Sequence, residues 1–314
     1  MKKIDGIYLK WQFIIALKVL FKLYKLIIKS LIMKALKFSF IILFVLCTSS
    51  IIGQNEKKSY VSTAINYISD AVFMGRKDSI AAPYLYPSIA YSHKSGFYGK
   101  GSFSYLTQPD ESRIDLYLFT AGFNFKKNKL SGDFSATKYF FNKDSYNVIS
   151  EVTADISASL SYDFKILNLT VNASNYLSNN ENSDLFLSSE ISHAFLTSNN
   201  KFQISPTAGI YLGSQNFYEA YYINSRIRDR KNNDFGNTTE TIIEVVIEES
   251  ESFNLMAVEV SLPMWYSKNS FTVSFLPVLV FPQHEATILN DETVVKEELE
   301  NVFYWMIGLS YRFK

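Results

Sequence analysis

From Val152 to Phe164 the chain alternates without a break. Val152, Ala154, Ile156, Ala158, Leu160, Tyr162 and Phe164 fall on one side, and Thr153, Asp155, Ser157, Ser159, Ser161 and Asp163 on the other. A period of two with one apolar and one polar face is the pattern of a β-strand. Leu167, Leu169, Val171 and Ala173 repeat it against Asn168, Thr170, Asn172 and Ser174. So do Phe202, Ile204, Ala208, Ile210 and Leu212 against Gln203, Ser205, Thr207 and Gly209. The pattern predicts strands over 60–73, 83–94, 97–106, 113–126, 129–142, 150–164, 166–178, 183–197, 201–213, 253–266, 270–281 and 302–313. That is about twelve, most of them near or a little above the length that a tilted strand needs to cross a bilayer. None of the segments after Gln54 reads as helical.

The connections carry a second rhythm. Ser95-Gly96, Lys127-Asn128, Lys165, Ser198–Asn200 and Ser267–Asn269 are tight turns, while 74–82, 107–112, 143–149, 179–182, 214–252 and 282–301 are longer. Short and long alternate throughout. An up-and-down barrel in an outer membrane produces this, with short periplasmic turns and long external links, and an even strand count. Closure is required, because an open sheet edge cannot lie in hydrocarbon. The expected fold is therefore all-β: a closed antiparallel up-and-down transmembrane β-barrel of about twelve strands. A secreted β-sandwich would also alternate, but its core faces would be richer in Val, Ile and Leu.

The last twelve residues run Phe303-Tyr-Trp-Met-Ile-Gly-Leu-Ser-Tyr-Arg-Phe-Lys314, with Phe303, Trp305, Ile307, Leu309, Tyr311 and Phe313 on one face. This resembles the closing strand of Gram-negative outer-membrane β-barrel proteins. The resemblance implies that the aromatic end is read by the barrel-assembly machinery. Lys314 departs from the pattern, since such chains usually end on the aromatic residue.

The first 53 residues are a different polymer, with nine lysines against the single acid Asp5. Met33–Lys37 is a basic start, Phe38–Leu46 an apolar run, and Cys47–Gly53 a small and polar stretch suited to cleavage. This is the layout of a secretory signal peptide, with cleavage expected before Gln54. A membrane anchor is the alternative, but the run is short for the roughly 20 residues of a span. A lipid-modified Cys47 is a second alternative, and Leu46 before it is larger than that modification normally allows. Upstream, Lys18, Lys22, Lys25 and Lys29 share one face of a helix. Residues 1–32 read either as a membrane-surface helix or as sequence ahead of a true start at Met33. Three regions result: a basic amphipathic extension (1–32), a helical signal segment (33–53) and the barrel domain (54–314).

Composition sharpens this reading. The whole chain carries 31 Lys+Arg and 30 Asp+Glu, a formal charge of +1, which hides the asymmetry. Without residues 1–53 it has 22 basic and 29 acidic residues, a charge of −7, and no Cys. That excludes a disulfide scaffold or multi-Cys zinc site and argues against nucleic acid as a partner. An aromatic content of 16% suits girdles at two membrane interfaces.

If the apolar faces meet outer-membrane lipid, Lys100, Asp133, Asp155, Asp163, Glu190 and Arg312 line the lumen. Mixed charges there allow a solvated pore or a packed, closed interior. The longest link holds a basic cluster (Arg226, Arg228, Arg230) and an acidic one (including Glu244 and Glu248) around a turn-rich stretch. It reads as an external hairpin that contacts ligand or is merely solvated. Residues 286–289 and 293–296 suggest another. His93, His193 and His284 are scattered, and no metal-ligand spacing, phosphate loop or nucleophile elbow occurs, so no metal, cofactor or catalytic residue is expected. The leading expectation is a non-enzymatic outer-membrane barrel exported on a cleaved signal peptide, acting as a passive channel or narrow transporter for small hydrophilic solutes. The alternatives are a closed barrel presenting its loops, and a barrel lipid hydrolase using His193.

Overall fold

The computed structural model describes residues 58–78, 81–109, 111–178, 183–218, 246–247, 252–290 and 293–313. The extension 1–32, the signal segment 33–53 and the clusters at Arg226, Arg228, Arg230, Glu244 and Glu248 lie outside the described residues.

In chain order the strands are β1 (Tyr60–Ile68), β2 (Tyr84–Ser92), β3 (Phe97–Leu106), β4 (Arg113–Lys127), β5 (Leu130–Phe141), β6 (Val152–Asp163), β7 (Asn168–Ser178), β8 (Ser183–Ser192), β9 (Phe195–Leu196), β10 (Phe202–Ile204), β11 (Thr207–Gly213), β12 (Val246–Ile247), β13 (Asn254–Ser261), β14 (Met264–Lys268), β15 (Phe271–Pro282), β16 (Thr287–Asn290), β17 (Thr293–Lys296) and β18 (Val302–Arg312). All except β12, β16 and β17 belong to one antiparallel sheet. Within it β8/β9, β10/β11 and β13/β14 are single staves with a break, two of the breaks at Pro206 and Pro263, which have no N–H for the ladder. Twelve staves remain. The sheet closes on itself: β1 pairs β18 from Ser62↔Arg312 to Ile68↔Met306, and β13 pairs both β11 and β15.

Each predicted tight turn carries one residue with positive φ: Gly96, Asn128, Lys165, Asn200 or Asn269. Left-handed backbone is what lets two strands reverse in a few residues. We call the end bearing these turns periplasmic and the opposite end outer. The small β12–β16–β17 sheet lies among the outer links, and its β16–β17 hairpin is the one expected around 290–292.

The outward face is apolar. Ile65, Ile89, Ile156, Leu160, Val171, Ile210, Val260, Val273, Ile307 and Leu309 form its middle, exposed to the surroundings. Aromatic rings flank that band: Tyr91, Phe97, Tyr162, Phe164 and Phe271 towards one end, Tyr105, Tyr117, Phe119, Phe140 and Phe303 towards the other. Phe97 and Phe303 are 63% and 62% exposed. A continuous belt of this size is incompatible with water and suits lipid.

One expectation is corrected. The first strand ends at Ile68 rather than at 73, and the link after it does not lie outside the barrel. Ala71–Met74 are buried or half-buried, packed among lumen-facing side chains of distant staves. The apolar run Ala71–Phe73 packs inside the barrel rather than against lipid.

Candidate functional site in the barrel lumen

The β1–β2 link enters the lumen as a tight hairpin. Phe73 and Arg76 exchange both backbone hydrogen bonds (2.8 and 2.9 Å), with Met74 (φ 50) and Gly75 (φ 80) between them. Two consecutive positive φ values define the primed turn that matches strand twist. Glycine is required at 75 for a second reason: a Cβ there would lie 2.7 Å from Cβ of Pro282.

The hairpin crosses the barrel. Phe73 packs against Tyr176 on β7 and Phe186 on β8, with ring centroids 5.7 and 5.3 Å away. These staves stand halfway round the ring from β1. Phe217, from the link after β11, completes the aromatic cluster at 5.1 Å from Phe73. Met74, Val148, Val152, Met256, Val278, Val280 and Val302 close the core around it. Among the described residues, the outer half of the lumen is thus filled by apolar side chains contributed by links as well as by staves.

Three buried aspartates near the outer ends of staves fasten these links. Asp70 accepts from the Ala71 and Ala82 amides (both 2.9 Å) and from Lys77 (3.0 Å), tying the two ends of the hairpin segment together. Asp115 accepts from Tyr84, from Ser145 (2.6 Å) and from Arg113 (3.2 Å), fixing the β5–β6 link. Asp184 accepts from the Ser214 hydroxyl (2.6 Å) and from the Asn216 and Phe217 amides (2.9 and 2.8 Å). That holds the chain leaving β11 with Phe217 turned inward. Each is a carboxylate whose cost of burial is offset by several directed donors.

Arg76 latches the hairpin. Its side chain is 1% exposed, and Nη2 donates to the His284 carbonyl (2.6 Å) and to Glu297 (2.9 Å). The Tyr218 ring lies 5.1 Å from the guanidinium carbon. Among the described residues, Nε and Nη1 are buried without a hydrogen-bond partner. This is a costly arrangement, since buried guanidinium donors left unpaired forfeit their hydration.

Beneath the hairpin lies a cavity of about 240 Å³. Phe73 and Met74 form its roof; Tyr176, Tyr211, Glu259 and Tyr304 are among its walls. Towards the periplasmic end the inward side chains are polar. Tyr98 donates to Asp133 (3.0 Å), Thr120 pairs with Thr137 (3.1 Å), and Ser161 with Thr170 (2.7 Å). Asn172 donates to Ser188 (2.8 Å) and Glu190 (3.2 Å), and Tyr211 donates to Glu190 (3.1 Å).

The lumen candidates from sequence separate into two levels. Asp133, Asp155 and Glu190 sit deeper and are hydrogen-bonded, Asp155 by Tyr139 (2.7 Å) and Ser157 (2.6 Å). Lys100, Asp163 and Arg312 are more exposed, Asp163 and Arg312 at the periplasmic rim, Arg312 over the Tyr60 ring at 4.2 Å. The closing-stave residues Phe303, Ile307, Leu309 and Phe313 are exposed on the outward face, where the Trp305 ring lies tilted against Tyr67 at 5.5 Å. The histidines stay apart. His93 meets Ser95 within an exposed turn (2.7 Å), His193 contacts the Ile166 carbonyl, and His284 meets Asn254 at the outer end (3.2 Å). Sequence reasoning missed Asp70, Arg76, Asp115, Asp184 and Glu259. The available signal was an acid among the first residues of a stave that follows a long link, as at Asp115 in β4 and Asp184 in β8.

Closure, an apolar exterior with aromatic borders and a polar inner face define the class: the chain is a transmembrane β-barrel of the Gram-negative outer-membrane type. No protein-family profile matches it, and no curated protein does. Solved structures resemble it. A KdgM porin is 9% identical, over 81% of this chain and 99% of that one, with a TM-score of 0.45. A NanC porin is 11% identical over 80% and 98%, at 0.43. LpxR from Salmonella typhimurium is 12% identical over 80% and 99%, also at 0.43. The likeness extends to barrel architecture alone.

Proposed function

We propose that the protein is a non-enzymatic, gated outer-membrane channel for small hydrophilic solutes, held shut at its outer end by the β1–β2 hairpin. The observation that carries this reading is the division of the lumen. Its periplasmic part is lined by Ser, Thr, Asn, Asp and Glu side chains, whereas its outer part is filled by links that bring Phe73, Met74, Val148 and Phe217 against apolar side chains of the staves. A link can leave without breaking a single rung of the barrel ladder. Export on residues 33–53 and recognition of the Phe303–Phe313 stave by the barrel-assembly machinery belong to the same reading.

Planar-bilayer recording tests it on protein purified from membranes. The intact chain should show rare, brief openings, and replacing 71–78 by a Gly-Ser spacer of equal length should give a steady conductance. A correctly folded spacer variant with no conductance would leave the rival, a closed barrel presenting its outer links. A lipid hydrolase would instead lose an esterase signal on His193→Ala.

A further inference from the structure

We propose that the chamber beneath the hairpin is a binding site for a small organic cation, an amine with an apolar body of about one ring. The inference rests on the channel reading, because it names the solute class of that path.

The walls supply both halves of such a ligand's chemistry. Phe73, Tyr176, Phe186, Tyr211 and Tyr304 line the space with aromatic rings, and Glu259 brings a carboxylate to it. Aromatic faces together with a carboxylate recognise ammonium groups, whereas they repel anions. A second carboxylate stands in the same cross-strand row. Gly209 on β11 pairs with Glu190 on one side and Glu259 on the other. Two strand spacings put their backbones roughly 10 Å apart. The glycine lets the Glu190 stem and the Tyr211 ring close over the strand between the two acids: a Cβ at 209 would come within 3.0 Å of Cγ of Glu190 and 3.1 Å of the Tyr211 ring.

No counter-cation serves this row among the described residues. The four ion pairs there all involve Arg76, Lys77 or Arg113 in the outer part of the barrel. Lys100 is on β3, halfway round the ring from β11. Arg312 lies ten residues along β18 from Val302, the position that shares the Glu259–Val280 row, roughly 30 Å away at strand rise. The charge of −7 on residues 54–314 adds a field that draws cations in. Size limits the ligand: 240 Å³ is below the roughly 300 Å³ at which drug-sized pockets begin.

The test is calorimetric titration of the full chain in detergent with phenethylammonium, against phenethyl alcohol (neutral) and phenylacetate (anionic). Phenethylammonium should bind at least tenfold more tightly than either. Glu259→Gln and Glu190→Gln should each weaken it several-fold and together at least tenfold, while Glu259→Asp should retain most of it. Heat-modifiable migration on a gel confirms that each variant is folded. Equal affinity for the three probes, no binding at all, or unchanged binding in the double variant overturns the proposal. Bilayer recording on the same preparations separates the two readings. Amine binding by the full chain with no conductance from the folded spacer variant defeats the channel and keeps the site; conductance from the spacer variant with no amine binding by the full chain defeats the site alone.

Discussion

Removing the charge of Glu297 while keeping its shape should open the channel. In Glu297→Gln the Arg76 guanidinium stays buried, at 1% exposure, with no carboxylate partner and only neutral acceptors, the His284 carbonyl and the Gln amide oxygen. Breaking one side of a buried pair costs about 3–5 kcal/mol. Two features place this case at the lower end. Glu297 is itself 12% exposed, and two of the three guanidinium nitrogens already lack partners among the described residues. About 3 kcal/mol, levied only while the hairpin is seated, shifts the closed-to-open equilibrium roughly 150-fold at 1.36 kcal/mol per tenfold. The assay is single-channel open probability in planar bilayers, with wild type and variant at equal salt. The paired control is Arg76→Met with Glu297→Met. Replacing a buried ion pair by apolar volume is often neutral or stabilising, so the double variant should close again. Equal open probabilities in Glu297→Gln and wild type would refute the latch. A double variant as leaky as the single one would show that Arg76 is not the group left stranded.

Other substitutions probe the same structure. Gly75→Ala forces a side chain into a φ of 80 and against Pro282, so by about 1–3 kcal/mol it should unseat the hairpin and raise basal conductance. Asp184→Asn weakens the acceptor of the Asn216 and Phe217 amides; it should cost about 1–3 kcal/mol locally and appear as faster protease cleavage after Gly213 in intact cells. Ile156→Lys puts a charge in the middle of the lipid face and should lower the stability of the barrel in vesicles by about 2–4 kcal/mol in urea titration, whereas Ser157→Ala, facing inward, should cost far less.

The barrel was readable because its rules are local. Alternation from Val152 to Phe164 specifies a stave, and Asn128 or Asn269 marks a reversal, using neighbouring residues only. The plug was not readable, because its rules are not local. Val72-Phe73-Met74 has the composition of a lipid-facing strand, and its true partners, Tyr176, Phe186 and Phe217, lie more than a hundred residues on. The buried aspartates escaped for the same reason: Asp115 meets Ser145, and Asp184 meets Phe217, across about thirty residues of sequence. Lumen candidates such as Asp133 and Glu190 could be picked from the polar face, but their hydrogen-bond partners could be assigned only from the register of neighbouring staves.

The order in which the molecule assembles follows from the latch. Arg76 meets His284 and Glu297 across sequence separations of 208 and 221 residues. Contacts of such high order form late, after the loops they close have been paid for in entropy. The hairpin is among the first segments to be synthesised, yet its seat does not exist until β15 and β18 have joined the ring. On the proposed channel reading, the site stays open until the last strand has closed the ring and the hairpin can seat against His284 and Glu297.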